Sequence, residues 1–393
     1  MERNLLKPVL VVGVTSAQSC LILRGRLSAL REAGFQVTVV SAPGALLGST
    51  AEAEGVQAVA IPMQRGIAPL ADLVSFYRLW RLLGRLRPDL VEFSTPKAGL
   101  LGTLAARLRR VPLRIYLLRG LRLETTYGLQ RLLLLSMERL AAAAANIVLC
   151  NSQSLKTRAE ALRLAPEGKL QLLGGGSSNG VDMERYAPGE SLLRGQLGFG
   201  RGQPVIGFVG RLTCDKGVPE LIAAFDLILH REPQAWLLLV GWFDESEDAL
   251  PLPLRKKILA HPRILLTGMV PSAAEYYRAM DLLVLPSWRE GFPNVVLEAS
   301  ATGIPVVTTE STGSRDSVVP EVTGLLIPPG YPVAICEAVL TLLKDPERRR
   351  AMGQAARAWA LAHYAEEDVL GRTAAFYREL SEQKAERQLA QMS

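Results

Sequence analysis

Two glutamates separated by seven residues bound the segment with the clearest chemical potential, Glu290-Gly291-Phe292-Pro293-Asn294-Val295-Val296-Leu297-Glu298. The segment follows an apolar run at 282–285, and Pro293 suits the first turn of a helix. Backbone N–H groups at a helix start bind phosphate or sugar oxygens, and carboxylates accept hydrogen bonds from sugar hydroxyls. The spacing therefore predicts two carboxylates that face one hydroxyl-rich ligand. A solvated Glu298 on a surface helix is the alternative.

Two basic residues follow another apolar run, at 205–209, in the stretch Gly207-Phe208-Val209-Gly210-Arg211 and then Asp215-Lys216-Gly217. Open α/β sheets bind ligands at the carboxyl ends of their strands. Glycine lets the backbone approach a phosphate closely, and Arg211 and Lys216 bring two positive charges to the same strand end. The stretch predicts a phosphate site, with a surface turn carrying two solvated charges as the alternative.

A third turn at a strand end is Thr267-Gly268-Met269, which follows the apolar run at 264–266. Its backbone could contact the edge of a nucleobase, although the pattern alone is not specific for that role. All three candidate segments thus depend on the elements that precede them.

Those elements are short apolar runs that alternate with helical stretches, and both are seen along the whole chain. Runs this short and continuously apolar are typical of strands covered on both faces in parallel sheets. The predicted strands are 9–14, 37–40, 56–61, 90–93, 115–118, 147–150, 170–173, 205–209, 236–240, 264–266, 282–285, 306–308 and 325–327. Crossover helices are predicted over 21–33, 100–109, 219–230 and 333–343.

The pattern predicts two doubly wound α/β domains, each with its own parallel sheet. A Gly- and Pro-rich stretch at 174–204, which contains GGGSSNG, predicts a linker between them. We assign residues 1–185 to an N-terminal domain and 186–365 to a C-terminal domain. A final helix over 366–393 is expected, and packing of this helix against the first domain is one possibility.

Composition excludes several classes of protein. An apolar fraction of 49% with 21% charged residues excludes a mainly disordered chain. The four cysteines, which lie far apart, argue against a disulfide scaffold and fit a reducing cytoplasm. The three histidines all lie in the second half, which argues against a His-rich metal site. The longest apolar stretch, at 140–150, is shorter than the roughly 20 residues that a bilayer requires. The apolar run near the N-terminus is better explained as a first strand than as a signal peptide, because valine dominates it.

The positive charge is concentrated in the first half of the chain. Residues 1–185 carry a formal charge of +11 and the remainder −4, which together give the net +7. The two halves are therefore expected to have different partners.

The second half resembles the donor domain of family 4 retaining glycosyltransferases, which have the GT-B architecture. The matching segments are FVGRLTCDKG, LLTGMV, LLVLPSWREGFPNVVLEASATGIPVV and GLLIPP. The first half resembles one branch of that family through STPKAG (94–99), LRGLRLET (118–125) and GGGSSNGVD (174–182). That branch resembles enzymes that build capsular, O-antigen and lipid-linked surface glycans. The resemblance implies two Rossmann-like domains whose sheets face a central cleft.

The resemblance also implies residue roles in the donor half. Arg211 and Lys216 would bind the donor diphosphate beside Gly210, and Glu290 would bind hydroxyls of the transferred sugar. N–H groups near Phe292, Asn294 and Val295 would hold sugar or phosphate oxygens, in a donor-binding segment that also includes Gly291 and Pro293. Glu298 would accept from ribose hydroxyls, and the Thr267–Met269 turn would contact the base.

The acceptor half departs from the family pattern in two places. Many relatives have a histidine where this chain has Arg119, and a glycine pair where it has Thr15-Ser16-Ala17-Gln18-Ser19. Arg119 is either a cation beside the reacting centre or a salt-bridge partner of Glu124. The expected acceptor-side residues are Ser16, Ser19, Lys97, Arg119 and Glu124, and those expected to act in catalysis are Glu290, Arg211, Lys216 and Arg119.

The implied reaction is the transfer of a hexose from a nucleotide-diphosphate donor, expected to be a UDP-sugar, with retention of configuration. The chain contains no Asp-x-Asp, the usual divalent-metal clamp of the other main transferase fold. We therefore expect no metal and no cofactor, with the nucleotide-sugar as a substrate. The expected acceptor is a lipid-diphosphate-linked glycan or surface polysaccharide.

Basic residues beside aromatic ones predict docking at the cytoplasmic face of an anionic membrane. Arg78, Arg81 and Arg85 fall at helical spacing near Phe76, Tyr77 and Trp80, and Arg107, Arg109, Arg110 and Arg114 form a second cluster. A core helix with a solvated arginine face is the alternative.

Two other functions fit the same architecture: a nucleotide-sugar epimerase and a non-catalytic nucleotide-sugar binding protein. A dehydrogenase is disfavoured because no G-x-G-x-x-G follows the first strand. Nucleic-acid binding has only the net charge in its favour, without a recognition motif.

Overall fold

The structure is a computed structural model, and it describes residues 7–64, 66–200 and 202–392. The first six residues of the predicted N-terminal domain and Ser393 of the predicted last helix lie outside this range. The chain divides into two compact units, residues 1–179 with 367–393, and residues 180–366.

The first unit contains a parallel sheet of seven strands in its described residues, in the order β3-β2-β1-β4-β5-β6-β7. The strands are β1 (Val9–Gly13), β2 (Gln36–Ser41), β3 (Gln57–Ala60), β4 (Leu90–Ser94), β5 (Leu113–Leu118), β6 (Ile147–Cys150) and β7 (Leu170–Leu172). Its helices are α1 (Arg26–Glu32), α2 (Ala45–Glu54), α3 (Pro69–Leu86), α4 (Pro96–Leu108), α5 (Gly128–Ala144) and α6 (Gln153–Ala161), with 3-10 helices at Ala17–Leu23 and Arg122–Thr125.

The second unit contains a parallel sheet of six strands in its described residues, in the order β10-β9-β8-β11-β12-β13. The strands are β8 (Val205–Val209), β9 (Trp236–Val240), β10 (Ile264–Leu266), β11 (Leu282–Leu285), β12 (Val306–Thr309) and β13 (Gly324–Ile327). Its helices are α7 (Leu193–Gln196), α8 (Val218–Leu229), α9 (Leu252–Ala260), α10 (Ala274–Ala279), α11 (Asn294–Thr302), α12 (Pro332–Lys344) and α13 (Pro346–Tyr364), with a 3-10 helix at Arg315–Ser317. The last helix, α14 (Glu366–Met392), returns to the first unit.

Both sheets are covered on both faces, as the continuous apolar runs predicted. Side chains alternate along each strand, so Ile115 and Leu117 of β5 pack in one core while Tyr116 and Leu118 pack in another. Helix α14 contributes to the first of these cores, together with α1. The prediction of two doubly wound α/β domains is confirmed, and each predicted strand lies within two residues of an observed one.

The stretch predicted over 21–33 is not one helix. A 3-10 helix ends at Leu23, Gly25 adopts a left-handed conformation with φ of +70°, and α1 then begins. The backbone thus turns between the two segments, which hydrophobic periodicity alone does not show.

The glycine-rich segment at 174–179 is packed rather than a free linker. A Cβ on Gly176 would lie 2.3 Å from the carbonyl oxygen of Asn151, so the close approach requires glycine. The side-chain amide nitrogen of Asn179, Nδ2, donates to the backbone carbonyls of Ile22 and Arg24, at 2.9 and 3.1 Å. Val181, by contrast, forms a parallel bridge with Ala365 in the second unit. The unit boundary therefore falls between residues 179 and 180 rather than after residue 185.

Candidate functional site

The candidate donor site lies where the chain order of the second sheet reverses. Strands β8 and β11 are neighbours although three helices and two strands separate them along the chain, and the segments that begin at Gly210 and at Pro286 leave their carboxyl ends. In doubly wound sheets, ligands bind at this switch point because the two crossover connections run to opposite faces. The topology therefore places Arg211, Lys216 and Glu290 in one region.

Lys216 and Glu290 form an ion pair at this point. The Lys216 Nζ atom lies 2.5 Å from Oε1 of Glu290, and the Ser287 hydroxyl donates to the same oxygen at 2.8 Å. Both charged side chains are largely buried, with 20% and 11% of their surfaces exposed. A phosphate could take the ammonium group as its partner, and Glu290 could then bind a hydroxyl-rich ligand.

Gly217 explains how the two loops approach each other. Its φ of +71° is left-handed, and a Cβ at this position would lie 2.1 Å from the carbonyl oxygen of Pro286. Any side chain would therefore separate Lys216 from the loop that carries Glu290. The glycine is required for this contact as well as for the turn.

Acidic side chains hold the two arginines of the site. Arg211 Nη1 lies 3.1 Å from Oδ2 of Asp244, and Arg289 Nη2 lies 2.9 Å from Asp215 and 3.3 Å from Asp248. Burial would raise the pKa of Asp215, but Arg289 and the Thr213 hydroxyl outweigh it and lower that pKa. The Arg289–Asp215 pair holds the loop after β11 against the loop after β8, and the pairs with Asp244 and Asp248 tie both loops to the one after β9.

The Thr267–Met269 turn lies beside Gly241, which follows the end of β9. Gly241 in turn lies against Gly210, which follows the end of β8. Gly241 forms a bridge with Gly268, and a Cβ on Gly241 would lie 1.8 Å from the carbonyl oxygen of Gly210. The ends of β8, β9 and β10 thus approach one another through the backbone of three glycines. The Met269 side chain is exposed. The strand ends therefore meet through main-chain atoms, and such a surface suits contact with a flat ring.

Glu298 is held by two tyrosines rather than solvated. The Tyr277 hydroxyl donates to Oε2 of Glu298 at 2.7 Å, and Tyr186 also hydrogen-bonds this carboxylate. Burial raises the pKa of Glu298, although the two hydrogen bonds oppose the rise. The interpretation of Glu298 as a solvated helix residue is therefore wrong.

The loop between Glu290 and α11 is fixed from behind by residues after β12. The Glu290 amide donates to the Thr312 carbonyl at 2.9 Å, and a Cβ on Gly313 would lie 2.5 Å from the carbonyl oxygen of Gly291. Helix α11 begins at Asn294 directly after Pro293, so the amides of Asn294 and Val295 belong to its open first turn. Phe292 packs in a small cluster with Leu297 and Tyr364.

In the first unit, the corresponding switch point lies between β1 and β4. The Thr15 and Thr95 hydroxyls lie 2.7 Å apart and tie the two strand ends together, and Thr95 adopts a left-handed φ of +69°. The hydroxyls of Ser16 and Ser19 lie 2.9 Å apart in the segment that follows β1. The expected hydroxyl groups are thus at this sheet edge.

Two other residues expected on the acceptor side, Lys97 and Glu124, form ion pairs within the first unit. Lys97 is buried, and its ammonium group lies 2.5 Å from Asp72 of α3. Glu124 lies 3.2 Å from Arg158, whereas the partner of Arg119 within the described chain is Ser178. The alternative in which Arg119 pairs with Glu124 is therefore wrong.

Arg119 lies beside a buried charge network. Arg26 Nη2 donates to Glu92 at 2.6 Å and to the Tyr377 hydroxyl at 3.1 Å, and Tyr377 also donates to Glu92. Arg119 Nη1 donates to the Ser178 hydroxyl, while its Nε and Nη2 atoms have no hydrogen-bond partner among the described residues. Burial and the charge of Arg26 lower the pKa of Arg119 to about 10, so it stays protonated at neutral pH.

Three arginines of the second cluster proposed for membrane docking make contacts within the first unit. Arg107 and Arg114 donate to the last carbonyls of α5, at Ala143 and Ala144. Arg109 stacks over Trp80, with 3.3 Å between the guanidinium carbon and the ring centroid. These contacts stabilise a helix end and a helix pair, while the side chains of Arg107 and Arg110 are exposed.

Several of the residues that build the site were not predicted. Asp244 and Arg289 carry no motif of their own and act through charge pairing between separate loops. Tyr277 and Tyr377 stand in helical stretches where an aromatic residue indicates only core. Thr95 and Gly313 could have been suspected from their positions directly after, or near, a predicted strand end.

Within the described residues, there is no group of three or more histidine, cysteine or acidic side chains that could hold a metal ion. The same part of the chain has no helix that is both long and apolar enough to cross a membrane.

Two doubly wound domains, with cations and carboxylates at the switch point of the second, make up the GT-B architecture. Residues 190–359 match the family model for glycosyl transferases group 1, and residues 23–176 match the glycosyl transferase 4-like domain. The capsular polysaccharide biosynthesis glycosyltransferase CapM of Staphylococcus aureus is 36% identical over 345 residues, which cover 88% of this chain and 90% of that protein. The chain belongs to the group 1 glycosyltransferases.

Other relatives agree with this assignment. The Escherichia coli UDP-Gal:alpha-D-GlcNAc-diphosphoundecaprenol alpha-1,3-galactosyltransferase is 29% identical, and the match covers 70% of this chain and 71% of that protein. Anabaena Alr3699/HepE, solved in complex with UDP-glucose, superposes with a TM-score of 0.79 at 22% identity, covering 95% of this chain and 100% of the other. At that identity the structural likeness shows the fold alone.

Proposed function

We propose that this protein transfers a hexose from a UDP-sugar to a lipid-diphosphate-linked acceptor during the assembly of a surface polysaccharide such as capsule or O-antigen. The observation that carries the proposal is the Lys216–Glu290 pair at the switch point of the second sheet. CapM acts in capsular polysaccharide biosynthesis, and the E. coli relative uses UDP-Gal and a diphosphoundecaprenol-linked acceptor. CapM supports the assignment to surface polysaccharide assembly, and the E. coli relative supports the choice of donor and acceptor.

Donor binding exchanges internal ion pairs for contacts with the substrate. The diphosphate takes Lys216 and Arg211 as partners, and Glu290 is freed to accept from hydroxyls of the sugar. The ribose hydroxyls donate to Glu298, and the Thr267–Met269 turn faces the base. As the diphosphate leaves, its growing negative charge is stabilised by cations that are already in position.

The reaction retains configuration and uses no metal ion in this proposal. The bond between the anomeric carbon and the phosphate oxygen breaks, and the acceptor hydroxyl oxygen bonds to the same face of that carbon. The hydroxyl proton passes to the departing phosphate oxygen, so no enzyme nucleophile is needed. Arg211 and Lys216 supply the positive charge that a divalent cation would otherwise provide.

The acceptor end uses Arg119 together with Ser16 and Ser19. The Nε and Nη2 atoms of Arg119 have no hydrogen-bond partner among the described residues, and a guanidinium group suits a phosphate oxygen. Lys97 and Glu124 position neighbouring helices through their ion pairs. We place the protein at the cytoplasmic face of the membrane, where Arg78, Arg81 and Arg85 are exposed to anionic lipid.

A donor screen tests the proposal. A bound UDP-sugar should raise the melting temperature more than the matching GDP- or ADP-sugar. With a diphosphate-linked acceptor, NMR of the product should show the anomeric configuration of the donor, and EDTA should leave the rate unchanged. Conversion of the donor to another sugar without acceptor would support the epimerase alternative. Binding with neither transfer nor donor hydrolysis would support the non-catalytic alternative.

A further inference from the structure

Helix α5 presents an unpartnered apolar face. Leu129, Leu132, Leu133 and Leu140 fall at helical spacing on one side, and all four are exposed. Tyr127, directly before the helix, is 82% exposed and Leu129 is 83% exposed. Such a continuous set of exposed leucines on one helix is unusual for a surface that meets only water.

Helix α3 presents a second face with two parts. Its first half exposes Leu70, Leu73, Val74 and Tyr77 after the exposed Ile67, and its second half exposes Arg78, Arg81 and Arg85. The Arg81 guanidinium lies 6.0 Å from the Tyr77 ring centroid, so the basic and apolar parts adjoin. Phe76 and Trp80, by contrast, pack against the core beneath the helix.

The topology places these two faces at one end of the first unit. Helix α4 packs between α3 and α5, and each of the three helices follows the carboxyl end of its strand, β3, β4 or β5. Their first turns therefore lie at the sheet edge that carries Ser16 and Arg119. The most exposed apolar residues, Leu70 and Leu129, are in those first turns.

The charges around the patch identify its partner. The exposed charged residues of α3 and α5 in the described structure are Arg78, Arg81, Arg85 and Arg139. Their two carboxylates are neutralised or buried, because Asp72 pairs with Lys97 and Glu138 bonds Tyr116. A second copy of the chain would bring arginines against arginines, which opposes self-association. An anionic bilayer offers hydrocarbon to the leucines and phosphate to the arginines.

We propose that the apolar faces of α3 and α5 insert into an anionic membrane surface, and that the arginines of α3 bind its headgroups. The docking patch is defined by Ile67, Leu70, Leu73, Val74, Tyr77, Tyr127, Leu129, Leu132, Leu133 and Leu140. Docking turns the sheet edge that carries Ser16 and Arg119 toward the bilayer, from which the sugar of a lipid-linked acceptor extends. This consequence rests on the proposed function, whereas binding to the bilayer itself does not.

Vesicle flotation of the full chain tests the insertion. Vesicles of phosphatidylcholine with 30% phosphatidylglycerol should carry the wild type, and phosphatidylcholine alone should carry much less. The double variant L132E/L133E should bind at least about tenfold more weakly, because two inserted leucines become anionic. The matched control is L252E/L259E, which makes the same change at exposed leucines of α9 and should bind like the wild type.

A charge variant separates insertion from electrostatic attraction. R78Q/R81Q/R85Q should lose about a hundredfold in binding to the anionic vesicles, and 0.5 M salt should weaken the wild type similarly. Flotation of L132E/L133E with the anionic vesicles to the same extent as the wild type would overturn the proposal. So would a dimer of the wild type that this variant converts to a monomer, since the patch would then join two copies.

A soluble-substrate assay keeps this proposal distinct from the proposed function. L132E/L133E should transfer sugar to a short water-soluble diphosphate acceptor at the wild-type rate, and should lose transfer only to acceptor embedded in vesicles. Loss of vesicle binding with intact soluble transfer supports both proposals. Vesicle binding by a wild type that transfers no sugar would leave docking intact and overturn the proposed function.

Discussion

The two units organise their polar residues in opposite ways. In the second unit, charged residues at the strand ends pair with one another, as in Lys216–Glu290 and Arg211–Asp244. In the first unit, the charges lie in a buried network, and the Nε and Nη2 atoms of Arg119 have no hydrogen-bond partner among the described residues. The proposed donor end is therefore occupied by its own ion pairs, whereas the proposed acceptor end keeps buried guanidinium nitrogens that no described residue hydrogen-bonds.

This difference separates the expected effects of substitution. At the donor end, removing a cation should affect every donor-dependent step, because the same group binds phosphate and restrains Glu290. At the acceptor end, removing Arg119 should affect transfer but leave donor binding unchanged. The buried network of Arg26, Glu92 and Tyr377 supports Arg119 at a distance.

The largest effect is expected for Lys216→Ala. The substitution removes a cation from the leaving group and leaves Glu290 without its partner, so kcat/KM for transfer should fall about a thousandfold. The measurement is steady-state transfer and donor hydrolysis with the UDP-sugar. Lys256→Ala, at an exposed lysine of the same unit, is the control and should retain full activity. A loss below tenfold would contradict the role of Lys216 in donor binding.

Arg119→Ala should lower kcat/KM for the acceptor about a hundredfold while leaving donor hydrolysis and donor KM near the wild-type values. Arg119→Lys should recover little, since lysine keeps the charge but cannot replace the planar fork of donors. Arg378→Ala changes an exposed arginine of α14 and serves as the control. If donor hydrolysis and transfer fell equally in Arg119→Ala, the division of labour between the two units would be wrong.

Gly313→Ala should lower kcat about tenfold. A Cβ there would meet the carbonyl oxygens of Gly291 and Glu290 at 2.5 and 2.6 Å, and the φ of +78° disfavours any side chain. Gly198→Ala has a similar φ of +81° but no atom within 4 Å of the new Cβ, so it isolates backbone strain. Both variants should lose stability, and only Gly313→Ala should lose activity. Equal activity in the two variants would show that Gly313 does not position Glu290.

The same contrast explains how far the sequence could predict the structure. The strands were predicted because apolar runs record burial on both faces, and burial depends on local composition. The donor segments were predicted because Arg211, Lys216 and Glu290 each directly follow or lie near a strand end. Parallel strands then bring those ends together, so positions along the chain translate into positions in space.

The acceptor network could not be predicted because its partners are distant in the chain and carry no local signal. Arg26 meets Glu92 and Tyr377 across 66 and 351 residues, and each is ordinary within its own segment. For the same reason, Glu124 was expected to pair with Arg119, which is nearer in the sequence, but pairs with Arg158. The arginines of α3 could be predicted to lie at a surface, but the exposed leucines of α3 and α5 could not, since leucine-rich helices normally indicate core.

The smallest effect is expected in the first unit, at Glu138, and concerns stability rather than activity. Burial raises the pKa of Glu138 to about 7, although the hydrogen bond from Tyr116 at 2.7 Å opposes the rise. Because the folded pKa exceeds the unfolded value, the protonated form favours folding at low pH. That contribution is lost as the pH rises toward and through about 7.

Glu138→Gln removes this titration while keeping an acceptor for Tyr116. The melting temperature of the variant should match the wild type near pH 5 and exceed it by about 2–4 °C at pH 8. Glu160→Gln, at an exposed position of α6, should show the same difference from the wild type at both pH values. A pH-independent difference in Glu138→Gln would mean that Glu138 is ionised in the folded protein throughout. The first unit would then tolerate a buried charge without a cation, and its contrast with the Lys216–Glu290 and Arg211–Asp244 pairs of the second unit would be greater than the structure indicates.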